Sequence, residues 1–227
     1  MSDASGGKLS ALVFDAYGTL YNVASVTELS DEHFPGHGAE ISNVWRQKQL
    51  EYTWLLSLMG KYQDFWQVTS MGLRFAVASV GGELSEDTHR ALMENYLQLT
   101  PYPEVGAALE RMQAKIPLAI LSNGSPEMLM KVTQHNGFTP HFKAVLSVHE
   151  LGIFKPAPQV YELAVKALGI PREEIGFVSS NAWDAAGAKA YGFRVFWINR
   201  FNRAAETLPF VPDHEIFTLD DLAPFVG

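Results

Sequence analysis

Residues 12–21 read LVFDAYGTLY, and a run of three apolar residues ends there directly at Asp15. Continuous apolar runs without polar alternation are typical of parallel strands that are buried on both faces. Open sheets of such strands bind their ligands beyond the carboxyl ends of the strands. The stretch therefore predicts a buried strand that presents a carboxylate at a ligand-binding edge, followed by a turn at Gly18-Thr19.

The rest of the chain indicates short apolar strands that alternate with amphipathic helices. Ser125-Pro126 is typical of a helix start, and Gly169 and Gly192 are typical of helix ends. Because strands and helices alternate from residue 101 onward, we expect a doubly wound, mainly parallel α/β sheet. The predicted strands are Ala11–Phe14, Leu118–Leu121, Val145–Ser147, Ile175–Ser179 and Val195–Ile198, and the helices between them include Pro158–Leu168 and Trp183–Tyr191.

Residues 22 to about 100 interrupt this alternation with helical patterns alone. The predicted helices are Ile41–Met59, Gln63–Val80 and a third near Glu86–Leu99. This favours a catalytic core made of residues 1–21 and 101–227, with residues 22–100 inserted as an all-helical cap. A cap inserted after the first strand would cover the carboxyl ends of the strands.

Composition excludes several classes of protein. The 227 residues are 47% hydrophobic and carry a net charge of −8, so we expect neither nucleic acid nor a membrane as a partner. The chain has no cysteine, which excludes disulfides, thiolate metal sites and a cysteine nucleophile. Its start, MSDASGGKLS, lacks the apolar segment of an export signal, and we expect a cytoplasmic protein.

Polar residues gather at the predicted strand ends. Each alone has an ordinary explanation, such as a helix cap for Asp15, turn chemistry for Ser122-Asn123, or a helix-dipole partner for Asp184. Their convergence on one edge of the sheet is what indicates a site. The set is Asp15 with Thr19, Ser122-Asn123, Lys155, and Ser179-Ser180-Asn181 with Asp184.

Taken in order, these segments resemble the motifs of the haloacid dehalogenase superfamily, and most closely its L-2-haloacid dehalogenases. The matching stretches are FDAYGT, ILSNGS, FKPAPQVYELA, FVSSNAWDAAGAKAYGF with WINR, and WRQKQLEYTWL (45–55) with LSLMGKYQDF (56–65) in the cap. The resemblance implies a Rossmann-like core, a helical cap and a homodimer. It also implies hydrolysis of short L-2-haloacids, such as 2-chloropropionate and haloacetates, to D-2-hydroxyacids through a covalent aspartyl ester with inversion at C2.

Two departures separate this chain from the phosphatases of that superfamily. Those enzymes place a general acid two residues after the nucleophile, where this chain has Tyr17; a departing halide needs no proton. They also hold magnesium with two aspartates four residues apart, where this chain has Ser180 and Asp184. We therefore expect no metal and no other cofactor. A magnesium-dependent phosphatase, a fluoroacetate-preferring dehalogenase and a non-catalytic carboxylate-binding protein are the alternatives.

The expected roles follow the motifs. Asp15 is the predicted nucleophile, Lys155 keeps it ionised, and Asp184 is the base that activates water. Thr19 would orient Asp15, while Ser179, Tyr161 and Asn181 would support Asp184. The predicted substrate-binding residues are Ser122 and Asn123 for the carboxylate, Arg46 for the halide, and Tyr17, Gln47, Phe65 and Trp183 for the apolar wall, with Ala16 where related enzymes often carry a leucine.

Overall fold

The computed structural model describes residues 8–226, and the predicted core residues 1–7 and 227 lie outside that range. A six-stranded sheet forms its centre, with the strand order β3-β2-β1-β4-β5-β6 and parallel pairing throughout. This confirms the predicted Rossmann-like, doubly wound α/β fold. The strands are β1 (Ala11–Phe14), β2 (Leu118–Ser122), β3 (Ala144–Ser147), β4 (Ile175–Ser179), β5 (Arg194–Ile198) and β6 (His214–Ile216).

The strand β1 lies in the middle of the sheet, between β2 and β4. Phe14 pairs with Ile120 on one side and with Val178 on the other. The next residue, Asp15, continues the ladder by donating its N–H to the Val178 carbonyl at 2.9 Å. The order of strands reverses between β1 and β4, which is where open α/β sheets leave a crevice for ligands. Asp15 therefore stands at the mouth of that crevice.

Four helices lie within residues 22–100, where the sequence predicts the cap. They are α1 (Thr27–His33), α2 (Gly38–Leu58), α3 (Phe65–Ser79) and α4 (Glu86–Asn95), and short 3₁₀ turns flank them at Val23–Val26 and Tyr96–Gln98. The division into domains at residues 22 and 100 stays a prediction. The remaining helices are α5 (Val105–Gln113), α6 (Pro126–His135), α7 (Pro158–Leu168) and α8 (Ala182–Tyr191).

The cap helix α3 begins at a capping box and packs closely against α2. Asp64 caps α3 by accepting a hydrogen bond from the Gln67 N–H, and the Gln67 side chain accepts one from the Asp64 N–H in return. The helices α2 and α3 approach closely at Gly72, where an added Cβ would lie 3.2 Å from the Gln49 nitrogen. The Trp45 indole N–H donates across this contact to the Thr69 carbonyl at 2.7 Å. The two helices are thus fixed as a pair.

The strand β6 and the helix α1 were not predicted. The strand β6 has three residues, two of them polar, and α1 reads TELSDEH with little apolar periodicity. The strand β3 was expected to be buried but is largely half-exposed, because it is the edge of the sheet. Within residues 8–226, no helix is long and apolar enough to cross a membrane.

We expect Leu12→Ala to lower the free energy of unfolding by about 2–5 kcal/mol, since it removes a fully buried side chain from the central strand. Urea denaturation followed by circular dichroism measures this. Leu208→Ala makes the same change at a side chain that is 47% exposed, and we expect an effect within about 0.5 kcal/mol. Equal losses in the two variants would contradict the assignment of β1 to the core.

Candidate active site

Three donors hold the side chain of Asp15, which is only 6% exposed. The Thr19 hydroxyl and the Asn181 amide donate to Oδ2 at 3.0 and 2.8 Å, and the Lys155 ammonium donates to Oδ1 at 3.1 Å. Both carboxylate oxygens are therefore fixed in direction. A carboxylate that is buried, oriented and beside a cation is suited to act as a nucleophile.

Lys155 connects Asp15 to a second buried carboxylate. Its ammonium lies 2.9 Å from Asp184 Oδ2, while the Tyr161 hydroxyl donates to Asp184 Oδ1 at 2.8 Å. Lys155 and Asp184 are both almost completely buried. One cation thus stands between two carboxylates, at the first turn of α8 and the end of β1.

Burial and charge set the ionisation of this trio. Burial lowers the pKa of Lys155, but the carboxylates of Asp15 and Asp184 outweigh it and leave the pKa raised, so the ammonium stays charged. Burial raises the pKa of Asp184, and Asp15 adds to this while Lys155 opposes it. The 2.9 Å contact assigns an ion pair between Lys155 and Asp184. Because burial and Asp15 outweigh Lys155, the pKa of Asp184 is raised, and its carboxylate is more basic than that of an ordinary aspartate.

The turn after β4 supports Asp15 more than it supports Asp184. The Ser179 hydroxyl accepts from the Asn181 N–H at 3.2 Å, which holds the turn in place. The Asn181 amide then donates to Asp15 and to the Tyr17 carbonyl. Only the backbone carbonyl of Asn181 reaches Asp184, through the Asp184 N–H at 3.0 Å. The predicted support of Asp184 by the Ser179 and Asn181 side chains is therefore absent among the described contacts.

Ser180 fills a structural position in the same turn. Its hydroxyl donates to the Gly18 carbonyl at 2.7 Å, and its N–H donates to the Thr19 hydroxyl at 2.9 Å. Gly18 has a φ of +91°, and an added Cβ there would lie 3.1 Å from Ser180 Oγ. The glycine therefore lets the loop after β1 lie against the loop after β4.

Ser122 and Asn123 follow β2 on the other side of Asp15. The side-chain Oδ1 of Asn123 accepts from the Lys155 N–H at 2.9 Å. Its Nδ2 makes no hydrogen bond within residues 8–226, so this end of the amide is open to a ligand. The Ser122 hydroxyl is buried and accepts from the Gly124 N–H at 3.1 Å, with its own proton still available to an anion.

Arg46 extends from the cap helix α2 to the loops after β1 and β4. Its guanidinium donates to the Tyr17 carbonyl and to Asn181 Oδ1, each at 3.2 Å, and to Gln49 Oε1 at 2.7 Å. Asn181 thus joins the cap arginine to the Asp15 carboxylate. A cleft of about 360 Å³ opens beside Arg46 and Asn181, with Trp183 in its lining.

Aromatic rings close the space above Asp15. Tyr17 packs against Phe65 and Tyr96 with ring centroids 5.6 Å apart in each case. Trp183 meets Trp54 edge-to-face at 5.3 Å. The Tyr17 hydroxyl and the Trp183 indole N–H are buried without a partner among the described residues, and burial holds the pKa of Tyr17 well above its ordinary value. Ala16 is fully buried in the loop below.

Gln47, which was predicted to line the apolar wall, does not face the site. Gln47 is exposed, because it follows Arg46 by one position on α2 and points to another side of the helix. Gln49, three positions after Arg46, is buried and contacts it instead. The helical spacing of three residues was the signal in the sequence that would have identified Gln49. Tyr96, which donates to Gln49 at 3.0 Å, had no such signal.

We expect Lys155→Met to cost about 3–5 kcal/mol of stability at pH 8, because two buried carboxylates lose their shared cation. Burial and the charge of Asp15 then raise the pKa of Asp184 without the opposing cation, so this carboxyl takes up a proton as the pH falls. A raised folded-state pKa favours folding at low pH and loses that contribution as pH rises. The loss should therefore be smaller at pH 5.

Urea unfolding at pH 5 and pH 8 measures this difference. The control is Lys155→Met combined with Asp184→Asn, which leaves one ionisable carboxylate and should show a weaker dependence on pH. A loss of stability that is the same at both pH values would mean that the carboxylates do not share the ammonium.

Known proteins resemble this chain over almost all of its length. The family of haloacid dehalogenase-like hydrolases matches residues 9–192. The (S)-2-haloacid dehalogenase of Pseudomonas putida is 45% identical over 95% of both chains, and the (S)-2-haloacid dehalogenase 2 of Pseudomonas sp. strain CBS-3 is 47% identical over 95% of this chain and 94% of that one.

A solved structure agrees with these relatives. The L-2-haloacid dehalogenase of Xanthobacter autotrophicus, with chloropropionic acid covalently bound, superposes with a TM-score of 0.91. It is 38% identical, and the match covers 95% of this chain and 97% of that one. On these grounds the chain belongs to the haloacid dehalogenase superfamily, in the group of the L-2-haloacid dehalogenases.

Proposed function

We propose that this protein hydrolyses the carbon–halogen bond of short L-2-haloacids and releases D-2-hydroxyacids through a covalent ester on Asp15. The observation that carries the proposal is the single buried ammonium of Lys155 between the carboxylates of Asp15 and Asp184. One carboxylate is suited to attack carbon and the other to activate water, and the cation serves both. The Xanthobacter relative with chloropropionic acid covalently bound supports the ester.

In the first step, an oxygen of Asp15 attacks C2 of the haloacid from the side opposite the halogen. A carbon–oxygen bond forms, and the carbon–halogen bond breaks with its electron pair on the departing halide. Arg46 is placed to receive that halide, because the Asn181 side chain accepts from its guanidinium and donates to the attacking carboxylate. A guanidinium is permanently charged and weakly hydrated, which suits a soft anion in an enclosed site.

In the second step, Asp184 takes a proton from water, and the water oxygen attacks Cγ of the Asp15 ester. The tetrahedral intermediate collapses with cleavage of the bond between Cγ and the ester oxygen. The hydroxyacid leaves with that oxygen, recovers the proton from Asp184, and retains the inverted configuration set in the first step. Asp15 then loses the proton of its new hydroxyl to solvent and is a carboxylate again. The raised pKa of Asp184 improves it as a base, and Tyr161 and Lys155 hold its two oxygens in place.

The carboxylate of the substrate needs donors near the other side of Asp15. The open Nδ2 of Asn123 and the Ser122 hydroxyl are available at the end of β2. The rings of Tyr17, Phe65 and Trp183 would enclose the short alkyl group. We also propose that no metal takes part, since the ammonium of Lys155 already occupies the position between the two carboxylates that a cation would take.

We expect halide release from L-2-chloropropionate but not from the D enantiomer, with EDTA present throughout and D-lactate as the organic product. Ion chromatography and chiral chromatography measure the two products. Asp15→Asn should abolish release, whereas Asp87→Asn makes the same change at an exposed position of α4 and should leave it unaltered. Release that requires added magnesium, or no release from any 2-haloacid, would contradict the proposal.

The covalent ester predicts the source of the new oxygen atom. In a single turnover in oxygen-18 water, with enzyme in excess, the hydroxyacid should carry unlabelled oxygen from Asp15. The label should appear in the peptide that contains Asp15, as mass spectrometry of a digest would detect. Fully labelled hydroxyacid in the first turnover would mean direct attack by water.

The same membership leads us to propose a homodimer, and an exposed apolar stripe on α2 is its candidate contact. Leu55, Leu58 and Met59 are 43%, 85% and 59% exposed at the carboxyl end of the helix. Sedimentation velocity should give a dimer for the unchanged protein and a monomer for Leu58→Glu. Val211→Glu is the matched control, because it introduces the same charge at an apolar residue outside α2 that is 67% exposed. A monomer before any substitution would contradict the proposal.

The cytoplasmic location stays a prediction.

A further inference from the structure

A buried chain of hydrogen bonds in the cap ends on Arg46. The Thr69 hydroxyl donates to the Phe65 carbonyl at 2.6 Å, so it is left to accept from Gln49 Nε2 at 2.7 Å. That bond fixes the direction of the Gln49 amide and turns its Oε1 towards Arg46 Nη1, at 2.7 Å. Gln49 and Thr69 are both fully buried. Two helices of the cap thus determine the position of one guanidinium.

Tyr96 adds a second donor to the same oxygen. Its hydroxyl donates to Gln49 Oε1 at 3.0 Å. Burial raises the pKa of this hydroxyl in spite of the opposing charge of Arg46, so it stays protonated and can only donate to the carbonyl. With both donors in place, Gln49 Oε1 is fully occupied, and the amide cannot rotate without losing three hydrogen bonds.

The acceptors around Arg46 are all uncharged. They are Gln49 Oε1, the Tyr17 carbonyl and Asn181 Oδ1, and no carboxylate forms an ion pair with Arg46 among residues 8–226. Arg200, by contrast, is paired with Glu104 at 2.6 Å. Arg46 is therefore held firmly but keeps its full charge for an anion.

We propose that Gln49 is a positioning residue for the expulsion of halide: it fixes the guanidinium of Arg46 at the departing anion without neutralising it, and Thr69 and Tyr96 fix Gln49. This rests on the proposed dehalogenase function. A glutamate at this position would keep the shape and the hydrogen bond from Arg46, but it would lose the donor to Thr69 and compensate the charge of Arg46. The proposal therefore requires an uncharged side chain at position 49, and not merely one of this size.

The test is Gln49→Glu, assayed on L-2-chloropropionate and L-2-bromopropionate. The value of kcat/KM reports the steps up to halide release, and chloride, as the poorer leaving group, depends more on Arg46. We expect kcat/KM for the chloro substrate to fall about tenfold or more, and the bromo-to-chloro ratio to rise about threefold or more. Inhibition by added sodium bromide should weaken in parallel.

Gln98→Glu is the matched control, because it introduces the same charge at an exposed position in residues 22–100 and should leave both rates unaltered. A folded Gln49→Glu variant with an unchanged bromo-to-chloro ratio would overturn the inference while the dehalogenase function stands. Absence of halide release from the unchanged protein would instead overturn the proposed function, so the two failures are distinguishable.

Thr69→Val provides a second route if the buried carboxylate prevents folding. It keeps the shape of the side chain and adds no charge, but removes the acceptor that directs the Gln49 amide. We expect a smaller increase in the bromo-to-chloro ratio, with circular dichroism unaltered. Equal losses for both substrates would indicate a role in stability alone and would contradict the inference.

Discussion

The arrangement of the site depends on one ammonium group between two buried carboxylates. Asp15 and Asp184 lie on different elements, and burying two carboxylates so close together is costly unless a cation lies between them. Lys155 supplies that cation, and its backbone N–H is bound in turn by the Asn123 side chain at the end of β2. The loop that carries Lys155 therefore connects the ends of three elements, and the two steps of hydrolysis share one source of positive charge.

The chain separates this chemistry from the recognition of the leaving group. The proposed nucleophile lies at the end of β1, the proposed base lies in the first turn of α8, and their shared cation comes from the loop before α7. Arg46 comes from α2 and donates to the Tyr17 carbonyl and to Asn181. Asn181 contacts both Asp15 and Arg46, so the position of the proposed nucleophile and that of the proposed halide donor are linked through one amide.

Much of this arrangement was predictable from sequence, for identifiable reasons. Buried parallel strands such as β1 and β4 are continuous apolar runs, and the polar residue after each must lie at the carboxyl edge. The three-residue β6 has no such run, and its pairing is decided by the neighbouring β5. Gln47 was predicted to shape the apolar wall of the site. The helix turns it outward, and Gln49, one helical turn from Arg46, takes the buried position instead.

The origin of Arg46 in a helix inserted between two strands has a consequence for how such a protein can diversify. Residues that alter the fit to the departing group can change in the helical segment while the sheet, its register and the nucleophile remain constant. Substitutions that re-aim or remove Arg46 would redirect the same covalent chemistry to other leaving groups. The hydrogen bonds from Arg46 to Tyr17 and Asn181 are the geometric limit on that freedom, because any new cap must still reach the same two oxygens.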